Sequence, residues 1–353
     1  MSNIANIDTN FLVKSEIDKK DIHFYDAKQA PFVICGVTYD NGQYRRMPET
    51  VAQHVSEGVH SLHMHTAGGR VRFRTDSQYV AIHVKMSHIG RMPHFALTGS
   101  MGFDLYAGEN EEHFIKSFVP PYHMQDSYES IVELGDKQMR NITIHMPLYS
   151  GVVEIYIGLQ EEADVLPSLP YRYEKPVVFY GSSITQGGCA SRPGNAYTAI
   201  LSRRLNCDHI NLGFSGSAKA EAGIVDYIKN LEMSVLVYDY DHNAPTVEYL
   251  QKTHKAMFDA IRKNKPMLPI VIMSCPEYMP SSRAQSTLPV IRKTYEEAIA
   301  NGDQNVYFIS GRELMAMAKD DGTVDATHPN DLGFASMANA IEPVLRKILK
   351  SAT

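Results

Sequence analysis

The 353-residue sequence predicts an α/β fold in which a C-terminal, doubly wound parallel sheet of five strands follows an all-β sandwich. Three observations lead there. Apolar residues alternate with a period of two from about residue 30 to residue 170. Past a proline-bearing stretch they gather instead into short continuous runs. Between those runs lie longer segments with a helical period, so strand and helix alternate.

In chain order, Val71 and Phe73 begin the alternation. Val80, Ile82, Val84 and Met86 share one face of a strand, with Ala81, His83 and Lys85 on the other. Ile142, Ile144 and Met146 repeat the pattern, as do Val153, Ile155, Ile157 and Leu159, with Gly, Pro and Asp clusters between. Several short strands with hardly any helical period predict an antiparallel sandwich over residues 1–170. The segment Val165 to Pro176 reads as a linker, so a second domain is expected over 171–353. Its strand candidates are Val177 to Tyr180, His209 to Leu212, Ser234 to Tyr240, Ile270 to Ser274 and Val306 to Ile309. Helices are expected over Ala196 to Leu205, Thr246 to Arg262 and Pro289 to Ala300, and in a last helix with Met337, Ile341, Val344, Leu345 and Ile348 on one face.

Composition narrows the function classes. Hydrophobic residues at 44% and charged residues at 21% are ordinary for a globular protein, and a net charge of −6 without a basic cluster argues against a nucleic-acid partner. No apolar run approaches the roughly 20 residues of a membrane span. The N-terminus lacks the basic and apolar regions of a secretion signal, so a cytoplasmic location is expected, although a chain already trimmed of its signal would read the same way. Cys35, Cys189, Cys207 and Cys275 are scattered, without the spacing of a disulfide framework or a zinc motif, and are expected to be free thiols. The composition is silent on oligomeric state.

In a doubly wound sheet the ligand sits beyond the carboxyl ends of the strands. There Val177 to Tyr180 runs into Gly181-Ser182-Ser183-Ile184-Thr185, which sets two serines on a turn that glycine can close tightly. A serine hydroxyl needs a base, and His328 in Asp325-Ala326-Thr327-His328-Pro329 is the candidate, with Asp325 close enough to orient its ring. Ser183, His328 and Asp325 can thus supply nucleophile, base and orienting acid, with Ser182 as a competing nucleophile.

These residues carry a resemblance. The C-terminal half resembles the SGNH, or GDSL-type, serine hydrolases, whose motif blocks occur in order as Gly181 to Thr185, Asn211 to Gly216, a looser match at Tyr238 to Pro245, and Asp325 to Pro329. The resemblance implies Ser183 as nucleophile and an oxyanion hole from the N–H groups of Ser183 and Gly216 with the Asn243 side chain. Two departures stand out. Ser182 replaces the family's Asp, and His242 replaces the Gly usual before Asn243. Gly102-Phe103-Asp104-Leu105-Tyr106 is similar to the GxDLY signature of a jelly-roll-like domain found ahead of some SGNH esterases. Together they imply a short-chain ester, such as an acetyl ester, of a carbohydrate or small molecule as substrate, with no cofactor.

Other readings compete at single positions. Asp239, Asp241 and His242 could hold a metal and make a metal-dependent hydrolase, but carboxylates bracing the Asn243 loop are the simpler account. Asp241, His242 and Arg192 are candidate substrate contacts. His63 and His65 read as one face of a strand, exposed and without a third ligand. A silent glycan-binding protein is the rival from another class, and the complete Ser, His and Asp set argues against it.

Overall fold

The computed structural model describes residues 16–109 and 111–351, so most of the stretch read for a secretion signal lies outside the described residues. The N-terminal part is a sandwich of two antiparallel sheets. One has the strand order Ile22–Asp26, Gly151–Gln160, Tyr79–His88, Ser127–Glu133. The other runs Val165–Leu166, Arg70–Thr75, Arg140–His145, Phe103–Gly108, His113–Phe118. Alternate side chains of both sheets meet in one core, including Val71, Phe73, Val80, Ile82, Val84, Phe103, Ile142 and Ile157. The expected alternation slips at one place. The register between Gly151–Gln160 and its neighbour shifts on either side of Val152, so Val152 is wholly buried and Val153 is not. A bulge puts an extra residue into the strand, which a strict period of two cannot foresee.

Two further expectations for this half change. It contains short helices at Glu49–Ala52, Glu57–Leu62 and Leu97–Ser100. Met47, Ala52 and Val59 join the core of the other half, which is why a local alternation does not reveal them. His63 caps the helix Glu57–Leu62 rather than sitting in a strand, and both His63 and His65 are buried.

The C-terminal part is a five-stranded parallel sheet in the order Cys207–Gly213, Tyr173–Gly181, Val235–Asp239, Ile270–Met273, Val306–Ile309. Val177, Phe179, Val235 and Val237 face one helical layer, with Leu201, Ile341 and Leu345; Val178, Tyr180, Leu236 and Tyr238 face the other, with Ile224, Leu250 and Ile261. Burial on both faces explains the continuous apolar runs. The helix expected from Pro289 begins instead at Ser282 and runs to Ala300, with Pro289 inside it. Its true start is the Ser281 hydroxyl, which accepts the N–H of Ala284 at 3.2 Å. The helix Ala222–Asn230 carried no clear sequence signal.

This strand order reverses direction at Tyr173–Gly181, whose neighbours are the second and third strands of the sheet. The crevice there is the ligand position of such a sheet. Ser183 follows that strand directly.

Candidate active site

Glycine at 181 is required by packing, because a Cβ there would lie 2.4 Å from the Asp239 carbonyl oxygen and 2.3 Å from Thr185 Oγ1. The turn it permits leads into the short helix Ser183–Gln186. The two serines then divide their work. Ser182 is wholly buried and its Oγ accepts the Ile184 N–H at 3.2 Å as the helix cap, whereas Ser183 Oγ lies 3.0 Å from His328 Nε2. The other ring nitrogen of His328 is 2.8 Å from Asp325 Oδ2.

Asp325 Oδ1 accepts the backbone N–H groups of Thr327 at 3.1 Å and His328 at 2.7 Å, so the loop fixes its own carboxylate. Partial burial pushes the Asp325 carboxyl up, but those backbone bonds and the imidazole outweigh it and hold its pKa below the usual carboxylate value. It stays ionised, as an orienting partner must.

Gly216 takes a left-handed φ of +66°, and a Cβ placed on it would meet nothing within 4 Å. Glycine is therefore a backbone requirement there and not a packing one. Asn243 Oδ1 accepts the Ala218 N–H at 3.2 Å, which leaves the amide nitrogen as its remaining donor. That bond also ties the loop after the central strand to the loop of Gly216.

The carboxylates beside Asn243 are buried deeply. Asp241 Oδ2 accepts the Cys275 N–H at 3.1 Å and the Thr287 hydroxyl at 3.2 Å, while both carboxyl oxygens of Asp239 have no partner. Burial, and then the neighbouring Asp241, drive the Asp239 carboxyl well above its ordinary pKa. Arg283 Nη2 donates to the carbonyl oxygens of Asp241, at 2.9 Å, and Ala244. Two groups of three metal-capable side chains within 4.8 Å of one another occur among the described residues, and neither includes Asp239 or Asp241. The metal trio Asp239, Asp241 and His242 is thus not assembled. His242 turns its Nε2 to Cys275 Sγ at 2.9 Å.

Arg192 is not presented to Ser183. Its Nη1 pairs with Asp104 Oδ2 at 3.0 Å, bonds the Tyr106 hydroxyl, and lies with its guanidinium 3.7 Å from the Phe114 ring centre. Asp104 also accepts the Gly194 N–H at 2.8 Å and is wholly buried. The Gly102 to Tyr106 motif therefore splits by strand alternation. Phe103 and Leu105 fill the sandwich, and Asp104 and Tyr106 grip the loop that follows the Ser183 helix.

Several residues at the site come from the sandwich and have no local sequence signal. The Tyr149 hydroxyl donates to the Ser183 carbonyl oxygen at 3.2 Å. His65 Nδ1 lies 3.1 Å from Gln186 Nε2. His94 places its Nε2 4.0 Å from Asp325 Oδ2 and its ring centre 5.9 Å from that of His328. Cys189, at a positive φ of 79°, is close to both histidines, and burial followed by the Asp325 charge raises its thiol to about pKa 11.

A serine, imidazole and carboxylate in line at the carboxyl edge of a doubly wound sheet is the arrangement of a hydrolase acting through an activated hydroxyl. Comparison with known proteins agrees on the class. Residues 174–346 match the GDSL-like lipase/acylhydrolase family, and residues 22–165 match the GxDLY N-terminus of the SGNH-hydrolase-type esterases. The chain belongs to this group of two-part SGNH-type esterases. Among solved structures it is similar to a Bacteroides ovatus protein described as a GDSL-like lipase, with 25% identity, a TM-score of 0.83, and 93% of this chain and 98% of that one covered. A salicylyl-acyltransferase from a tetracycline biosynthetic pathway shares the fold at 17% identity and a TM-score of 0.73, over 94% and 98% of the two chains. So does a family two carbohydrate esterase from Clostridium thermocellum, solved with cellohexaose, at 13% identity and a TM-score of 0.61, over 90% and 99%. No curated protein sequence gives a match.

Proposed function

We propose that the protein is a serine esterase in which Ser183 attacks an ester carbonyl while His328 takes its proton and Asp325 holds the imidazole in the accepting tautomer. The observation that carries this reading is the continuous line Ser183 Oγ to His328 Nε2 at 3.0 Å and His328 Nδ1 to Asp325 Oδ2 at 2.8 Å. The N–H groups of Ser183 and Gly216 and the amide nitrogen of Asn243 are the donors assigned to the oxyanion. Collapse of the tetrahedral intermediate expels the alcohol, protonated by His328, and leaves an acyl-Ser183. Water, deprotonated by the same histidine, attacks the acyl carbon and releases the acid.

The substrate assigned is a short-chain acyl ester of a carbohydrate or small molecule. Carbohydrate esterases of the same fold, including an acetyl xylan esterase from Butyrivibrio proteoclasticus, support a glycan ester in outline. The division into units 1–170 and 171–353 belongs to the same reading. It gives the sandwich two tasks: to hold the loop after the nucleophile through Asp104, and to supply His94 and Tyr149 at the site.

The test is hydrolysis of an activated acetate ester and of a panel of acetylated sugars by the parent protein and by Ser183→Ala. Turnover is expected from the parent and none from the variant, with an unchanged circular dichroism spectrum. Full activity in Ser183→Ala would sink the assignment.

A further inference from the structure

A second cluster of reactive side chains lies outside the line from Ser183 to Asp325. It forms where the loop after the central strand Val235–Asp239 meets the loop after its neighbour Ile270–Met273. His242 Nε2 is 2.9 Å from Cys275 Sγ, which is 3.1 Å from Glu277 Oε1. One ligand atom from each of the three lies within 4.8 Å of the others. Beside them is a cavity of about 210 Å³ lined in part by Cys275, Glu277 and Asp241. Asp241 is 2% exposed and its Oδ1 has no hydrogen-bond partner. An imidazole nitrogen, a thiol sulfur and a carboxylate converge there, next to a cavity whose wall also carries an unpartnered buried carboxyl oxygen.

We propose that His242, Cys275 and Glu277 form a binding site for one Zn²⁺ ion, with a water completing the coordination from the cavity. Mixed sulfur, nitrogen and oxygen donors suit Zn²⁺ better than Mg²⁺ or Ca²⁺, which take oxygen ligands. The geometry needs little adjustment. Bond lengths of about 2.3 Å to sulfur and about 2.0 Å to nitrogen or oxygen set tetrahedral ligand atoms roughly 3.5 Å apart, so the two contacts open by roughly half an ångström. Charge also balances. The Cys275 S–H releases its proton to solvent as the Zn–S bond forms, and the thiolate and the Glu277 carboxylate together cancel the charge of the ion.

The other metal-capable group, His94, Cys189 and His328, is the weaker candidate. Both ring nitrogens of His328 are already engaged, by Ser183 and Asp325, so an ion there must break one of those bonds. At His242 the only partner the ion displaces from Nε2 is the thiol that joins it as a ligand. The site is structural, since its three ligands bridge two consecutive strand ends and Asn243 follows His242 directly.

The full chain, stripped with a chelator, is titrated with Zn²⁺ by calorimetry and with Co²⁺ in the spectrophotometer. Expected are one ion per chain, a thiolate-to-cobalt charge-transfer band, and a thermal midpoint raised by Zn²⁺. Cys275→Ser should abolish the band and weaken Zn²⁺ binding by about 100-fold or more, and Glu277→Gln by about 10-fold. Cys189→Ser and Ser183→Ala should bind as the parent does, which keeps this result separate from the nucleophile assignment. Absence of Zn²⁺ binding at about 100 micromolar free metal, far above what a structural site needs, or a band lost in Cys189→Ser and kept in Cys275→Ser, would overturn the proposal. If Cys275→Ser fails to fold, Glu277→Gln decides: unchanged affinity there overturns it.

Discussion

Two loops at the carboxyl edge of the sheet serve one candidate site in opposite ways. The loop Asp325 to His328 supplies its own order. Asp325 accepts two N–H groups from the next three residues and holds the imidazole with its other oxygen. The loop Asp239 to Ala244 is held from outside, by Thr287 and Arg283 on the helix Ser282–Ala300 and by Cys275 after the neighbouring strand. The first is partly exposed and the second buried. A proton relay can be encoded within four consecutive residues, whereas the donor for an oxyanion has to be aimed by its surroundings.

The contrast can be broken by substitution. The largest effect is expected from Asp325→Asn, which keeps the loop's size but loses the anion that orients the imidazole. Steady-state kinetics on an activated ester should show kcat lower by about 10⁴-fold, with the urea midpoint nearly unchanged. A loss under tenfold would remove Asp325 from the relay. Asn243→Ala should lower kcat by about 10² to 10³-fold with little change in KM, since the donor acts on charge that develops in the transition state. An effect confined to KM would instead make Asn243 a ground-state contact.

Arg283→Met tests the dependence of the second loop on its neighbours. It removes the guanidinium bonds to the carbonyl oxygens of Asp241 and Ala244, and should cost about 1 to 3 kcal/mol of stability together with a fall in kcat. Substitutions outside the first loop should have no counterpart to this.

The pH dependence of stability separates the two loops by window without touching the chemistry. The Asp325 carboxyl is depressed in the folded state, so its contribution is present above the unfolded value of about 3.9 and is lost only as pH falls below it. Behind the second loop, His254 stacks on Tyr240 with ring centres 5.7 Å apart, and burial lowers its pKa to about 3. The unfolded chain binds that proton near pH 6.5 and the folded chain does not, so stability falls as pH drops below about 6.5, by up to about 1.4 kcal/mol per unit. Urea titrations between pH 7 and pH 4 should show this slope reduced in His254→Gln and unchanged in Asp325→Asn. An equal slope in His254→Gln would show that this histidine does not titrate with unfolding.

Much of this was legible in the sequence because it depends on periodicity or on short spacing. The parallel strands appear as continuous apolar runs because both their faces are covered, and the run Val306 to Ile309 coincides with the strand. Asp325 and His328 meet because three residues in one loop can scarcely avoid it. The choice of Ser183 over Ser182 came from motif register, and the structure gives the physical reason: one hydroxyl caps the helix and the other faces the imidazole.

What only the tertiary structure decided concerns partners far apart in the chain. Arg192 reads as a candidate substrate contact, yet its guanidinium is taken up by Asp104, 88 residues away. His63 and His65 read as exposed strand residues but are buried, with His65 against the Ser183 helix. His94 and Tyr149 reach the site from the sandwich, and Cys275 and Glu277 reach His242 from the next strand end. A local pattern records which face of an element is covered, because burial selects residue type at each turn. It cannot record which element does the covering, since that contact forms only when two halves with separate periods pack together.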